Sequence, residues 1–102
     1  MSERVVVDVS DLEAGRTRVV RAGDLELVVC RVDGAWYAFE NRCPHQDFPL
    51  GDARLRGHVI ECSLHGGRFD VRDGCPVRAP TRESLRLHAV HVRDGRVEVE
   101  IP

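Results

Sequence analysis

The sequence predicts a small antiparallel all-β domain, and three observations predict it. Apolar residues recur with a period of two over most of the chain, the spacing of a strand that buries one face. Asp-Gly pairs punctuate these segments at Asp33-Gly34, Asp73-Gly74 and Asp94-Gly95; Asp-Gly suits the tight hairpin turn, whose two central residues take positive φ. No long stretch carries helical periodicity. At 102 residues there is room for one domain, residues 1–102, with a core of modest size.

The elements follow in chain order. Val5, Val7 and Val9 alternate with Val6 and Asp8 as a first strand. Asp11-Leu12-Glu13-Ala14-Gly15 allows one short helical turn at most, capped by Ser10 or Asp11. After the turn signal Ala22-Gly23-Asp24, Leu25, Leu27 and Val29 alternate with Glu26 and Val28, which reads as a half-buried strand. Trp36, Tyr37 and Phe39 follow Asp33-Gly34, where aromatics fit core or cross-strand packing. From Asn41 to about Leu55 the alternation stops; it resumes at His58-Val59-Ile60-Glu61 and breaks again at Cys62-Ser63-Leu64-His65-Gly66-Gly67. Val90 and Val92, then Val97, Val99 and Ile101, close the chain as two strands around Asp94-Gly95.

Composition narrows the function. Hydrophobic residues at 42% and charged residues at 31% describe a globular chain. Fifteen Lys+Arg against seventeen Asp+Glu give a net charge of −2, which excludes nucleic-acid binding driven by bulk charge. Uncharged runs such as Gly34 to Phe39 fall far short of the ~20 apolar residues of a membrane span. The start of the chain lacks a signal-peptide core, so a cytoplasmic protein is expected. In that reducing compartment Cys30, Cys43, Cys62 and Cys75 point to metal binding or catalysis before disulfides.

Two irregular segments hold one Cys and one His each: Cys43-Pro44-His45, then sixteen residues, then Cys62-Ser63-Leu64-His65. Irregular segments on a β scaffold are where function concentrates. Two chemistries use two Cys and two His: a tetrahedral zinc site, or a [2Fe–2S] cluster with two thiolates on one iron and two imidazoles on the other. Zinc fingers pair Cys with Cys and His with His. Here each loop delivers one of each kind, which favours the cluster.

These residues resemble the Rieske-type ferredoxins. Asn41-Arg42-Cys43-Pro44-His45-Gln46-Asp47-Phe48-Pro49-Leu50 is similar to the family's first cluster loop, and Glu61-Cys62-Ser63-Leu64-His65-Gly66-Gly67-Arg68-Phe69-Asp70 to its second. Asp73-Gly74 with Pro76, Pro80, Glu83 and Leu85 is similar to the proline-containing segment that covers the cluster. The resemblance implies the Rieske fold, an antiparallel β-sandwich base with a two-loop cluster-binding subdomain inserted at about residues 41–76. It implies Cys43, His45, Cys62 and His65 as the ligands of one [2Fe–2S] cluster. Residues 41–76 contain little apolar material and much loop, so the cluster is expected to order them in place of a core.

The resemblance also implies a branch. Rieske proteins of respiratory complexes carry an additional Cys in each loop, joined as a disulfide; Phe48 and Leu64 stand in those places. They also place a Ser and a Tyr where this chain has Gly67 and Phe69. The expectation is a soluble, low-potential ferredoxin. It would carry single electrons from a flavin-dependent reductase to a terminal aromatic-ring oxygenase, without nucleic-acid or membrane partners. The alternative is a small Rieske-like subunit of a larger oxidoreductase such as nitrite reductase. No nucleophile, general base or substrate pocket presents itself, so the protein is not expected to be an enzyme. Cys30 reads as a buried inert thiol, and Cys75, His58, His88 and His91 are assigned no metal role. Arg68 and Asp70 are expected to pair.

Overall fold

The computed structural model describes residues 3–9, 12–13, 15–42, 50, 54–62, 67–77 and 84–101. Within them the strands are β1 (Glu3–Val7), β2 (Thr17–Ala22), β3 (Leu25–Val32), β4 (Ala35–Glu40), β5 (Arg54–Arg56), β6 (Val59–Glu61), β7 (Arg68–Asp70), β8 (Leu87–His88), β9 (Val90–Arg93) and β10 (Arg96–Ile101). They form three antiparallel sheets in the orders β1-β10-β9, β2-β3-β4-β8 and β5-β6-β7. Among the described residues no helix is long and apolar enough to cross a membrane.

Strand β3 organises the molecule, and it corrects the half-buried expectation. Leu27, Val28, Val29 and Cys30 are all fully buried, because both faces of β3 are covered. Leu27 and Val29 join Val7, Ala38, Val97 and Val99 in the core shared with the β1-β10-β9 sheet. Val28, Cys30 and Val32 join Phe39, Ile60, Cys62, Phe69 and Val71 in the core shared with β5-β6-β7. The four-stranded sheet is thus the middle layer. Its partner β4 splits the same way, since Val29 pairs with Ala38 and Val28 with Phe39.

The turns obey their residues with one exception. Asp33 (φ 52°) and Gly34 (φ 80°), like Asp94 (φ 51°) and Gly95 (φ 73°), are both left-handed, the two-residue hairpin that Asp-Gly predicts. At Asp73-Gly74 only Gly74 takes positive φ. Its N–H donates to the Asp70 carbonyl at 2.7 Å, so this is a wider turn that ends in the bridge between Phe69 and Pro76. An unforeseen tight turn at Gly57-His58 joins β5 to β6. The cap residues Ser10 and Asp11 lie outside the described residues, while Leu12 N–H donates to the Val9 carbonyl at 3.0 Å, one turn's worth of structure.

Candidate metal centre

Strand β6 runs directly into Cys62, and the chain returns at Gly67 to form β7. The Cys62 N–H donates to the Gly67 carbonyl across 2.7 Å, closing the loop of residues 63–66 at its base. One residue further out, Glu61 faces Arg68 in register, and Arg68 Nε donates to Glu61 Oε2 at 2.8 Å. Cys62 is 1% exposed and packs in the core with Ile60 and Phe69. Its thiol is in no disulfide, which leaves the sulfur available as a ligand. The other three expected ligands, Cys43, His45 and His65, lie outside the described residues, as do Phe48 and Leu64.

The first loop leaves β4 at Glu40 and comes back at Leu50. Asn41 holds both ends: its backbone N–H donates to the Glu26 carbonyl at 2.8 Å, its Nδ2 donates to Glu26 Oε1 at 3.0 Å, and its Oδ1 accepts from the Leu50 N–H at 2.7 Å. Leu50 is fully buried. In the sequence Asn41 stands only at the start of a motif; an amide is a donor and an acceptor on one short side chain, but its partners Glu26 and Leu50 are set by the fold.

The proline-containing segment is fastened beside β7. Val77 N–H donates to the Arg68 carbonyl at 2.7 Å, and Leu85 N–H to the Gly74 carbonyl at 2.8 Å. A Cβ on Gly74 would lie 2.8 Å from the Leu85 carbonyl oxygen, so this approach requires glycine. Pro80 and Glu83 lie outside the described residues.

A substantial core under these loops corrects the expectation that the cluster substitutes for one. Leu50, Ile60, Phe69 and Val71 are each fully buried; Ile60 and Phe69 sit in three-residue strands, too short for their period to stand out among the polar residues around them. The expected Arg68–Asp70 pair is also replaced. Cross-strand register gives Arg68 to Glu61, while Asp70 takes Arg72, whose Nη2 approaches Oδ2 at 2.7 Å. That pair holds the Asp70 carboxyl down at about 2. On the outer face of β5–β7, Arg54 and Arg56 line a groove with Val59, Glu61, Arg68 and Val77.

The remaining sulfur and imidazole groups have ordinary partners. Burial pushes the Cys30 thiol up to about 12, which suits an inert core residue. Cys75 is exposed, and the Asp73 carboxylate beside it raises its pKa. His58 Nε2 sits 3.4 Å from Asp33 Oδ2, with the Tyr37 ring edge-on to it. His88 Nδ1 is 2.9 Å from the Glu100 carbonyl, and His91 Nε2 is 2.9 Å from Glu100 Oε2. Among the described residues no three His, Cys, Asp or Glu side chains gather as a metal site.

Comparison with known proteins bears on the whole chain. The family model for the Rieske [2Fe-2S] domain matches residues 2–92. The chain is 41% identical to ferredoxin CarAc of Metapseudomonas resinovorans over 91 residues, 88% of this chain and 85% of that protein. It is 35% identical to the ferredoxin component of the naphthalene 1,2-dioxygenase system of Pseudomonas putida, covering 93% of this chain and 91% of the relative. Among solved structures, a chain in the complex of reduced oxygenase and oxidized ferredoxin of carbazole 1,9a-dioxygenase superposes with a TM-score of 0.85. Its identity is 39%, over 95% of this chain and 99% of that one.

Proposed function

The chain belongs to the Rieske [2Fe-2S] domain family, and on that premise we propose that it is a one-electron carrier, the ferredoxin component that passes electrons from a flavin-dependent reductase to a terminal aromatic-ring oxygenase. The observation that carries this reading is the likeness to dioxygenase ferredoxins over nearly the whole chain. The family's cluster is held by two Cys and two His, and in this chain we assign Cys43 and Cys62 to one iron and His45 and His65 to the other. Residues 1–102 would form one Rieske domain, with about 41–76 carrying the cluster. Its proposed place of action is the cytoplasm, where cysteines serve metals more than staples.

The donor chemistry fits that group, since the described ligand, Cys62, is a buried thiol outside any disulfide at the base of a closed loop. When bound, the cluster supplies a reversible one-electron couple. The chain's own residues do the rest. Leu50, Ile60 and Phe69 share a buried apolar core with Cys62, and a dry shell lowers the local dielectric and tunes the potential. Four protein ligands leave no coordination position for a substrate. The protein therefore moves electrons while the oxygenase performs the oxidation.

The test is reconstitution. The purified chain is expected to bind two irons and two sulfides, and to be required for electron flow in a mixture of flavin reductase and terminal oxygenase. A colourless protein without sulfide would remove the cluster. A loaded protein that transfers nothing to the oxygenase would remove the carrier role.

A further inference from the structure

We propose that Asn41 is a positioning residue for the cluster, its carboxamide locking the base of the first cluster loop between Glu26 and Leu50. The inference rests on the ferredoxin reading and assigns a role to a residue that is not itself a ligand.

The two loops are closed by different means. Among the described residues, the second is closed by a backbone hydrogen bond, the Cys62 N–H donating to the Gly67 carbonyl at 2.7 Å. Across residues 42–49 the bond that joins the described ends of the first comes from a side chain, Asn41 Oδ1 accepting from the Leu50 N–H at 2.7 Å. The opposite end of the same amide donates from Nδ2 to Glu26 Oε1 at 3.0 Å. Its orientation is fixed, because a carboxylate only accepts and a backbone N–H only donates. Glu26 is itself steadied by Arg21 Nη2, 3.1 Å from Oε2.

Geometry ties this amide to the site from two sides. Asn41 stands two residues before Cys43 in the chain. Leu50 is fully buried in the core that also holds Cys62, so fixing Leu50 fixes the loop's exit against the wall that carries a ligand of the other loop. Aspartate would keep the bond to Leu50 but set a second carboxylate against Glu26. Alanine would lose both side-chain bonds and leave the Leu50 N–H without its acceptor.

The experiment follows cluster release from the loaded protein to an iron chelator under native conditions, together with the midpoint potential, in four variants. Asn41→Ala is expected to speed release about tenfold or more, the scale for a part-buried hydrogen-bonding group left without its partner. Asn41→Asp is expected to do the same through repulsion by Glu26. Adding Glu26→Gln to Asn41→Asp restores the pattern with polarity reversed, the glutamine amide donating to the new carboxylate. That double variant is expected to release its cluster at close to the wild-type rate and potential, while Glu26→Gln alone changes release little. Wild-type release in Asn41→Ala, or no recovery in the double variant, overturns the proposal. If Asn41→Ala does not fold, the aspartate variant with and without Glu26→Gln decides. A wild-type chain that takes up no cluster refutes the ferredoxin reading instead.

Discussion

Ile60 of β6 stands directly opposite Phe69 of β7, and both are fully buried in the core that holds Cys62. The strands that flank Cys62, a proposed ligand, are therefore anchored by apolar packing. Each such side chain contributes roughly 1.5–3 kcal/mol when fully buried, a contribution that does not depend on iron.

Metal removal is accordingly expected to leave the three sheets folded while increasing proteolysis between residues 42 and 50. Far-ultraviolet dichroism and mass mapping of the cut sites check this; cutting within β6 or β7 would contradict it. Cys43→Ser or Cys62→Ser should abolish the visible chromophore. Cys30→Ala and Cys75→Ala should retain full iron content, since one thiol is buried and inert and the other is exposed beside Asp73.

Gly74 and Gly23 separate backbone strain from collision. Both take positive φ, 76° and 64°, but a Cβ on Gly23 meets nothing within 4 Å whereas one on Gly74 meets the Leu85 carbonyl at 2.8 Å. Gly23→Ala should cost only the left-handed penalty, about 1–2 kcal/mol. Gly74→Ala should cost about 2–4 kcal/mol, because the Leu85–Gly74 hydrogen bond must also yield. Denaturant titration of the two variants side by side measures the gap, and equal costs would show that the segment ending at Leu85 can move away freely.

Much of this architecture was legible in the residues, and the failures have physical causes. The strands around Asp33-Gly34 and Asp94-Gly95 were readable because turn chemistry and period-two patterning agree there. Strand β2 is not legible: Thr17-Arg18-Val19-Val20-Arg21-Ala22 is an edge strand, and its adjacent valines, Val19 exposed and Val20 half-buried, blur the alternation. The alternation with Glu26 makes strand β3 look one-sided, although the run Leu27-Val28-Val29-Cys30 carries no polar residue, which is the signature of a strand covered on both faces. The Cys/His pairs stand out in the sequence because ligand chemistry restricts residue type, and of the four only Cys62 falls among the described residues. Asn41 was not, because its role depends on Glu26 and Leu50, which only the fold brings to it.

The Asp70–Arg72 pair makes a pH prediction of definite sign. Arg72 donates from Nε to Oδ1 at 3.0 Å and from Nη2 to Oδ2 at 2.7 Å. These bonds lower the Asp70 pKa from 3.8 to about 2, against the smaller upward push of burial. A group depressed in the folded state stabilises it above its unfolded pKa, and that contribution is lost as pH falls through the folded value. The window is therefore roughly pH 4 down to 2. Arg72→Ala should lower the melting temperature at pH 5 more than at pH 2. An equal drop at both would mean the pair is too well solvated to matter.

The last prediction concerns Phe69 and the potential. Rieske centres span roughly −150 to +300 mV, set by hydrogen bonds to the sulfurs, charge and exposure. A donor to sulfur stabilises the reduced, more negative cluster and raises the potential. Phe69 has no hydroxyl to give, and Gly67 offers no side chain. The wild-type midpoint is therefore expected near the negative end, at about −150 mV, which suits a flavin donor and disfavours a quinol. Phe69 is fully buried in the core with Cys62, so a hydroxyl placed on it in Phe69→Tyr must find an acceptor inside or destabilise the fold. If that acceptor is a cluster sulfur, the bond is worth on the order of 1–2 kcal/mol, tens of millivolts for one electron. Protein-film voltammetry on wild type and variant reads the shift directly. A wild-type midpoint above zero at neutral pH would sink this account. So would an unchanged midpoint in a Phe69→Tyr protein whose crystal structure puts the new hydroxyl on a sulfur.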